Sequence, residues 1–399
     1  MTSSRKNKTL YIDKEAASAL ELVKCGLLKP LTGLMTKKEK QSVLNSGLID
    51  GKTFPLPFIL APSGAKNEEV IESLQVGEEI TILCEGEEFA TLTVDETFKT
   101  DPNITTKHIY GTDDLTHPEV RTTIKRLGSW AVSGEYKLLS TSYNQNLKNR
   151  EIINRAKKII NAKHTTALIM AANPLHRANE RLIRQALDTT DLLVVFLLKP
   201  YNSKNLSYEL REEALEYFIN NFLPKNRVVI VPLENSYVFA GYNELIVDSI
   251  VAKNYGCDRL TISRDHTGLG MLYDENRDSS IIDRVIGIDI EIKLESEYVY
   301  CEECKTLVSK NTCPHGQHHQ ISYHAESILG LLEAGILPPA VLIRKELSAF
   351  LLSKLLPNRF KHLEKLYYDL LPVKGLLEEH TERDFYLELM KLYQTTSLR

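Results

Sequence analysis

The sequence has no basic surplus, no long apolar run and few cysteines, and each shortage removes a class of function. Its 49 Lys and Arg stand against 53 Asp and Glu, leaving a formal net charge of −4. Nothing there recommends nucleic acid as a partner, and any anionic ligand must be held by local groups. No stretch approaches the roughly 18 uninterrupted apolar residues of a membrane helix, and Met1–Ala17 has no apolar core of signal-peptide length. The expectation is a cytoplasmic protein with no membrane partner. Six cysteines in 399 residues do not make a disulfide framework. Internal repeats and low-complexity tracts are also lacking.

What is present reads as a globular protein, 43% hydrophobic and 26% charged, and long enough for two or three cores. Residues 1–162 carry short strand-like runs, Phe54–Leu60, Glu79–Cys84 and Phe89–Val94, separated by turn residues such as Gly77 and Gly86. They predict a mainly β N-terminal domain. Beyond them, apolar runs at Ala167–Met170, Asp191–Leu198, Arg227–Val231 and Arg259–Ile262 alternate with amphipathic stretches, Arg177–Leu187, Ser207–Asn220 and Tyr242–Asn254. That alternation predicts an α/β domain over 163–325 with a parallel, doubly wound sheet. Ligands in such sheets sit at the carboxyl ends of strands. A helical region over 326–399 completes the chain, with helices expected at Ile343–Leu356, Phe360–Leu371 and Thr381–Leu398, punctuated by Pro357 and Pro372.

Two segments at those strand ends carry chemistry. After Met170 comes Asn173-Pro174-Leu175-His176-Arg177-Ala178-Asn179-Glu180, with Pro174 suited to a first helical position. Orphan N–H groups and the positive dipole end at a helix start favour phosphate. His176, one turn in, would donate to its oxygens. After Ile262 comes Ser263-Arg264-Asp265-His266-Thr267-Gly268-Leu269-Gly270, a second candidate phosphate loop.

Three cysteines crowd together with three histidines. Cys301-x-x-Cys304 is followed by Cys313-Pro314-His315-Gly316-Gln317-His318-His319. Two Cys of a C-x-x-C turn can share one tetrahedral ion, and a third Cys with one His completes a structural Cys₃His zinc set. His315, His318 and His319 all compete for the fourth position. His318 is favoured, because it leaves more chain to wrap back than His315, held two positions past Cys313 by Pro314.

The two strand-end segments resemble the Q-x-R-N-P-x-H-x-x-H and G-R-D-H-A-G signatures of the ATP sulfurylase (sulfate adenylyltransferase) family. Leu28–Met35 is similar to its S-P-L-x-G-F-M, and Tyr110–Pro118 to its Y-G-T-x-D-x-x-H-P. Ala240-Gly241, Asn254–Cys257 and Leu332–Gly335 fall in the family order, so the resemblance covers about residues 20–350. It implies a PUA-like N-terminal domain and a Rossmann-like nucleotidyltransferase domain of the HxGH superfamily. It also implies the reaction of ATP with sulfate to give adenylyl sulfate and pyrophosphate, with Mg²⁺ accompanying ATP. The same resemblance makes His176, Asn179 and Arg264 catalytic, and Asn173, His176, Arg264, Asp265, His266, Thr267 and Gly268 nucleotide-binding. Some bacterial members carry zinc near the position of Cys301–His319.

The sequence departs from the family on one side of the site. The Gln and Arg expected to bind sulfate fall on Met170 and Ala172, and the second His of H-x-x-H is Asn179. A-G-P-R-E reads Ala240–Glu244 with Asn243 for Arg, and I-S-G-T-x-x-R reads Ile321–Ser327 with Ser for Arg. The partners expected are therefore ATP or another nucleotide and a small oxyanion that is sulfate or something else. A nucleotide-binding homologue without turnover is the alternative. The helical tail, whose Leu, Tyr and Phe spacing suits helix packing, is a candidate self-association surface.

Overall fold

The computed structural model describes residues 8–139, 143–199, 206–234, 243–263, 285, 287–371 and 380–393. The chain divides into two compact units, Met1–Ala167 with Leu233–Leu294, and Leu168–Pro232 with Glu295–Arg399.

The first unit is organised by a five-stranded sheet of order β1-β5-β6-β7-β4. Its strands are β1 (Thr9–Ile12), β4 (Leu60–Pro62), β5 (Glu79–Cys84), β6 (Glu87–Lys99) and β7 (Leu127–Leu138), and a two-residue hairpin, β2 (Leu48–Ile49) with β3 (Lys52–Thr53), stands apart. β1 pairs with β5 in parallel and the other pairs are antiparallel. At Asp50 and Gly51 both hairpin turn residues take positive φ, as two-residue turns favour. The long β6–β7 ladder shifts register between Val94 and Glu96, where a Cβ at Gly134 would lie 2.0 Å from the Thr93 carbonyl oxygen. Only glycine allows that approach.

The helices of this unit are α1 (Lys14–Lys24), α2 (Lys37–Ser46), α3 (Ala65–Glu72), α4 (Pro102–Tyr110), α5 (Pro118–Arg126), α6 (Tyr143–Ile160) and, from the later segment, α9 (Glu244–Asn254). The strand expected over Phe54–Leu60 forms only from Leu60 onward. Pro55 and Pro57 lack the N–H groups a ladder needs, and Met35 N–H and Phe54 N–H instead bond to the carbonyls of Phe58 and Gly47.

The strands expected after residue 160 are all present: β8 (Thr165–Met170), β9 (Leu192–Lys199), β10 (Val228–Glu234) and β11 (Arg259–Ser263). With β12 (Glu291–Glu295) they give the order β10-β9-β8-β11-β12. β8 begins in the first unit and ends in the second. Near-continuous burial along β8 and β9 is that of strands covered on both faces.

In the second unit, α7 (Arg177–Asp188) and α8 (Tyr208–Phe222) alternate with the strands. A small sheet of order β14-β13-β15 follows, built from β13 (Tyr298–Cys301), β14 (Thr306–Ser309) and β15 (Gln320–Ile321). Helices α10 (Ala325–Glu333), α11 (Lys345–Leu355), α12 (Leu363–Leu370) and α13 (Glu382–Tyr393) end the described chain. The tail folds onto its own unit. Leu347, Leu351 and Leu352 of α11 and Tyr386 of α13 share one buried cluster with Leu168, Ile183, Val195 and Phe218.

Candidate functional site

The turn after β8 holds the first motif, and its start differs from expectation. The helix begins at Arg177 rather than at Pro174, and His176 is its N-cap with extended backbone. Asn179 N–H donates to His176 Nδ1 at 3.4 Å, while His176 N–H donates to Asn179 Oδ1 at 3.3 Å. This reciprocal box satisfies donors at the helix start, which is why the helix opens three residues after Pro174. Accepting at Nδ1 leaves the ring proton of neutral His176 on Nε2, as a donor. Asn179 is thus tied to holding His176.

Around this cap every neighbour is anchored. Asn173 Oδ1 accepts from Leu206 N–H at 2.9 Å, fixing the turn to the segment that precedes α8. The ring of Tyr323 stacks on His176 with centroids 5.3 Å apart, and its hydroxyl donates to the Val341 carbonyl at 2.7 Å. Burial pushes the Tyr323 phenol far above its ordinary range, so it stays a neutral donor. Glu180, 4% exposed, accepts from Arg177 at 3.1 Å and bidentately from Arg344 at 2.7 and 3.2 Å. The Arg344 guanidinium also lies 3.9 Å from the centre of the Phe222 ring. These contacts fix the first turn of α7 in place.

Arg211, on α8, is the buried group that frames the strand ends. It is 1% exposed and donates to the carbonyls of Ala171 at 2.6 Å, Leu198 at 2.9 Å and Leu206 at 3.0 Å. One guanidinium thereby binds the carboxyl ends of β8 and β9 and the entry to α8. The sequence reading passed over it, although a signal existed: Arg211 occupies the apolar face shared by Ala214, Leu215 and Phe218.

The positions where the family would grip sulfate are apolar and closed. Met170 is 7% and Ala172 4% exposed, both within the core cluster of the unit. Ala172 has a φ of 47°, and Leu175 beside it is buried as well. Of the second motif, Arg264, Asp265, His266, Thr267 and Gly268 lie outside the described residues, as do Ala240 and Gly241. Asn243, which follows them, is buried, and neither of its amide atoms has a partner among the described residues.

The three cysteines come together as expected, and His315 lies with them. Cys301 ends β13, Cys304 sits in the turn to β14, and Cys313 follows a turn in which the N–H groups of Thr312 and Cys313 bond to the Ser309 carbonyl. His315 Nδ1 lies 3.3 Å from Cys304 Sγ, 3.5 Å from Cys301 Sγ and 3.8 Å from Cys313 Sγ, and the Cys304 and Cys313 sulfurs are 4.0 Å apart. A tetrahedral ion with usual Zn–S and Zn–N bonds sets donor separations of roughly 3.5–3.8 Å. The group could hold a metal ion.

The histidine gathered with the three sulfurs is His315, whereas His318 was the expected fourth ligand. The single step through Pro314 turns His315 back onto the sulfurs, and Gln320 Nε2 holds its carbonyl at 3.1 Å. The 3₁₀ turn Gln317–His319 carries His318 away, to lie over Gly316 and against His319 with ring centres 4.1 Å apart. His319 instead faces Glu303 at 3.7 Å. Burial opposes ionisation of Cys301, but hydrogen bonds from the Cys304 and Glu303 N–H groups and neighbouring thiols bring it down to about 7. Burial and the adjoining sulfurs push Cys304 up to about 11.

The matches to known proteins agree with the residues. The ATP-sulfurylase family model matches residues 146–354, and the PUA-like domain model residues 1–141. The N-terminal sheet is accordingly a PUA-like domain. A sulfate adenylyltransferase of Halothermothrix orenii is 27% identical over 352 residues, which span 86% of this chain and 91% of that one. One of Chloroflexus aurantiacus is 28% identical over 350 residues, with 86% and 90% covered. Among solved structures, a protein described as a hexameric APS kinase from Thiobacillus denitrificans matches with a TM-score of 0.63 at 19% identity. That match covers 87% of this chain but only 63% of the other, and supports the fold alone. Among the described residues no helix is long and apolar enough to cross a membrane. With the family model spanning more than half its length, this chain belongs to the ATP-sulfurylase family.

Proposed function

We propose that the protein is a nucleotidyltransferase that transfers the adenylyl group of ATP to a small oxyanion, and that it uses sulfate inefficiently. An acceptor oxygen attacks the α-phosphorus, the bond to the bridging oxygen breaks, and pyrophosphate leaves. No protein nucleophile is needed, so catalysis is positioning plus charge stabilisation. Asn173, His176, Arg264, Asp265, His266, Thr267 and Gly268 are the nucleotide residues of this reading, with His176 donating through Nε2. Asn179 contributes by orienting His176. Mg²⁺ bound with ATP would neutralise phosphate charge.

The observation that carries the acceptor reading is the closed apolar surface at Met170 and Ala172. A dianion placed there lacks the guanidinium contact that a family member would make, worth roughly 1.5–3 kcal/mol. Pyrophosphate release from ATP, measured with sulfate, molybdate, phosphate and phosphonates, tests it. Sulfate turnover at the rate of ordinary family members would overturn the acceptor reading, and no binding of ATP or adenylyl sulfate would overturn the nucleotide reading. The double substitution Met170→Gln with Ala172→Arg should raise sulfate-dependent release about tenfold or more.

A second reading, nucleotide binding without turnover, draws on Tyr323, whose ring lies against His176 where the family motif has glycine. Single-turnover measurement of adenylyl transfer separates the two. Zinc is the ion we assign to Cys301, Cys304, Cys313 and His315, as a closed structural site. Its reduced thiols suit the cytoplasm. The functional domains on this reading remain 1–162, 163–325 and 326–399. Leu370, Leu392 and Tyr393 of the tail stay exposed and are the side chains through which self-association would run, a point sedimentation can check.

A further inference from the structure

The first unit contains a cavity of about 500 Å³ that the adenylyl-transfer reading does not use. Protein interiors leave few voids larger than a water molecule, and small-molecule sites commonly measure roughly 300–1,000 Å³. Leu20, Leu34, Phe54, Phe58 and Leu60 form much of its wall, and most of them are buried. Thr105 also lines it. That residue is 1% exposed, and its hydroxyl has no hydrogen-bond partner among the described residues. A buried polar group without a partner costs about 1–3 kcal/mol, so a ligand supplying one is favoured.

Charge selects the class of ligand. Among the described lining residues the charged groups are Asp13, Glu15 and Arg126. Arg126 donates through Nε to Asp13 at 2.6 Å and also donates to Glu15. Two carboxylates thus share one guanidinium, leaving one negative charge over. Nearby ammonium groups are engaged elsewhere: Lys14 pairs with Glu85 at 2.9 Å, and Lys66 donates to the Tyr11 hydroxyl at 2.9 Å. Burial raises the Glu15 carboxyl above its ordinary range despite Arg126, and the neighbouring Asp13 adds to the rise. An anion would have to displace Glu15 or Asp13 to reach Arg126, whereas a cation completes the cluster.

We propose that this cavity binds a small apolar amine, with its hydrocarbon body among Leu20, Leu34, Phe54, Phe58 and Leu60 and its ammonium group at Asp13 and Glu15. The probe is 1-naphthylmethylamine, titrated into the full-length protein by calorimetry beside 1-naphthalenemethanol and 1-naphthoic acid. The amine should bind with a sub-millimolar Kd, the alcohol about tenfold more weakly, and the acid not detectably. Glu15→Gln should close the gap between amine and alcohol. Ala16→Phe, which puts a ring into the cavity, should remove binding of both. If Ala16→Phe fails to fold by circular dichroism, Glu15→Gln decides alone. Absence of amine binding, preference for the acid, or amine binding unchanged in Glu15→Gln would each overturn the proposal. Loss of ATP binding elsewhere in the protein would leave these outcomes untouched, so the two readings fail separately.

Discussion

The turn after β8 and the β13–β14 hairpin both belong to the second unit and both centre on a histidine, yet they treat their polar atoms in opposite ways. Around His176 the protein satisfies itself: Asn179 caps, Asn173 ties to Leu206, and Glu180 is enclosed by two arginines. At the hairpin, three sulfurs and His315 Nδ1 face one another within 4.8 Å. The first arrangement keeps its shape whether or not a ligand is present. The second gathers three thiols and an imidazole within 4.8 Å of one another, a set that a metal ion would draw together and stabilise.

Breaking the hairpin should have the largest effect. Cys304→Ser removes one of four donors, and bound zinc measured by atomic absorption should fall from one equivalent to near none. Stability should drop by several kcal/mol, because metal affinity at such a site is folding free energy. His315→Ala should do the same while His318→Ala retains the metal, and the opposite pattern would return the fourth position to His318. At the strand ends, Arg211→Met should cost about 3 kcal/mol in urea unfolding, since three carbonyls lose their donor together. Arg211→Lys should recover little of this, as an ammonium lacks the planar fork that reaches all three.

How much of this was legible in the sequence depended on whether local chemistry settled the answer. Apolar runs of four to eight residues marked β8, β9, β10 and β11 within a few positions; burial on both faces keeps polar alternation out of β8, β9 and β11, while edge strand β10 is half-buried along Val228–Ile230. Phe54–Leu60 looked the same by hydropathy but is punctuated by Pro55 and Pro57, and missing N–H groups outweigh apolar character. Cys301, Cys304 and Cys313 were legible from spacing. His315 was not, because chain length was weighed as reach while Pro314 acts as a change of direction. Met170 and Ala172 stood out only against a family pattern, and their closure into the core required the structure. Arg211 was hidden by its helix, where a basic residue on an apolar face passes for a surface one.

The cap at His176 allows a finer division. His176→Ala should remove both the cap, about 1 kcal/mol of stability, and the Nε2 donor, weakening adenylyl sulfate binding roughly tenfold or more. His176→Asn restores a capping acceptor but not a donor at the same reach. Calorimetry should therefore find stability recovered and affinity still low. Recovery of both would place the function of His176 in folding alone.

The smallest effect separates the hairpin thiols from a thiol of the core. Cys257, 1% exposed, is pushed by burial from 9.0 up to about 12. In the unfolded chain the same thiol ionises near pH 9, so between pH 9 and 12 the unfolded state sheds a proton that the native state keeps. Its contribution is therefore complete below pH 9 and is lost as pH rises through that window, by about 1.4 kcal/mol at pH 10. Cys257→Ala should lower stability at neutral pH through the cavity it leaves, yet flatten the decline between neutral pH and pH 10 by that amount. The hairpin thiols titrate in the reverse sense once a metal is bound, because the ion holds them deprotonated and acid, not alkali, displaces it. A metal-loaded protein scanned from pH 5 to 11 should accordingly lose zinc on its acid side and lose the Cys257 contribution on its alkaline side, and a Cys257→Ala variant should change the second limb alone.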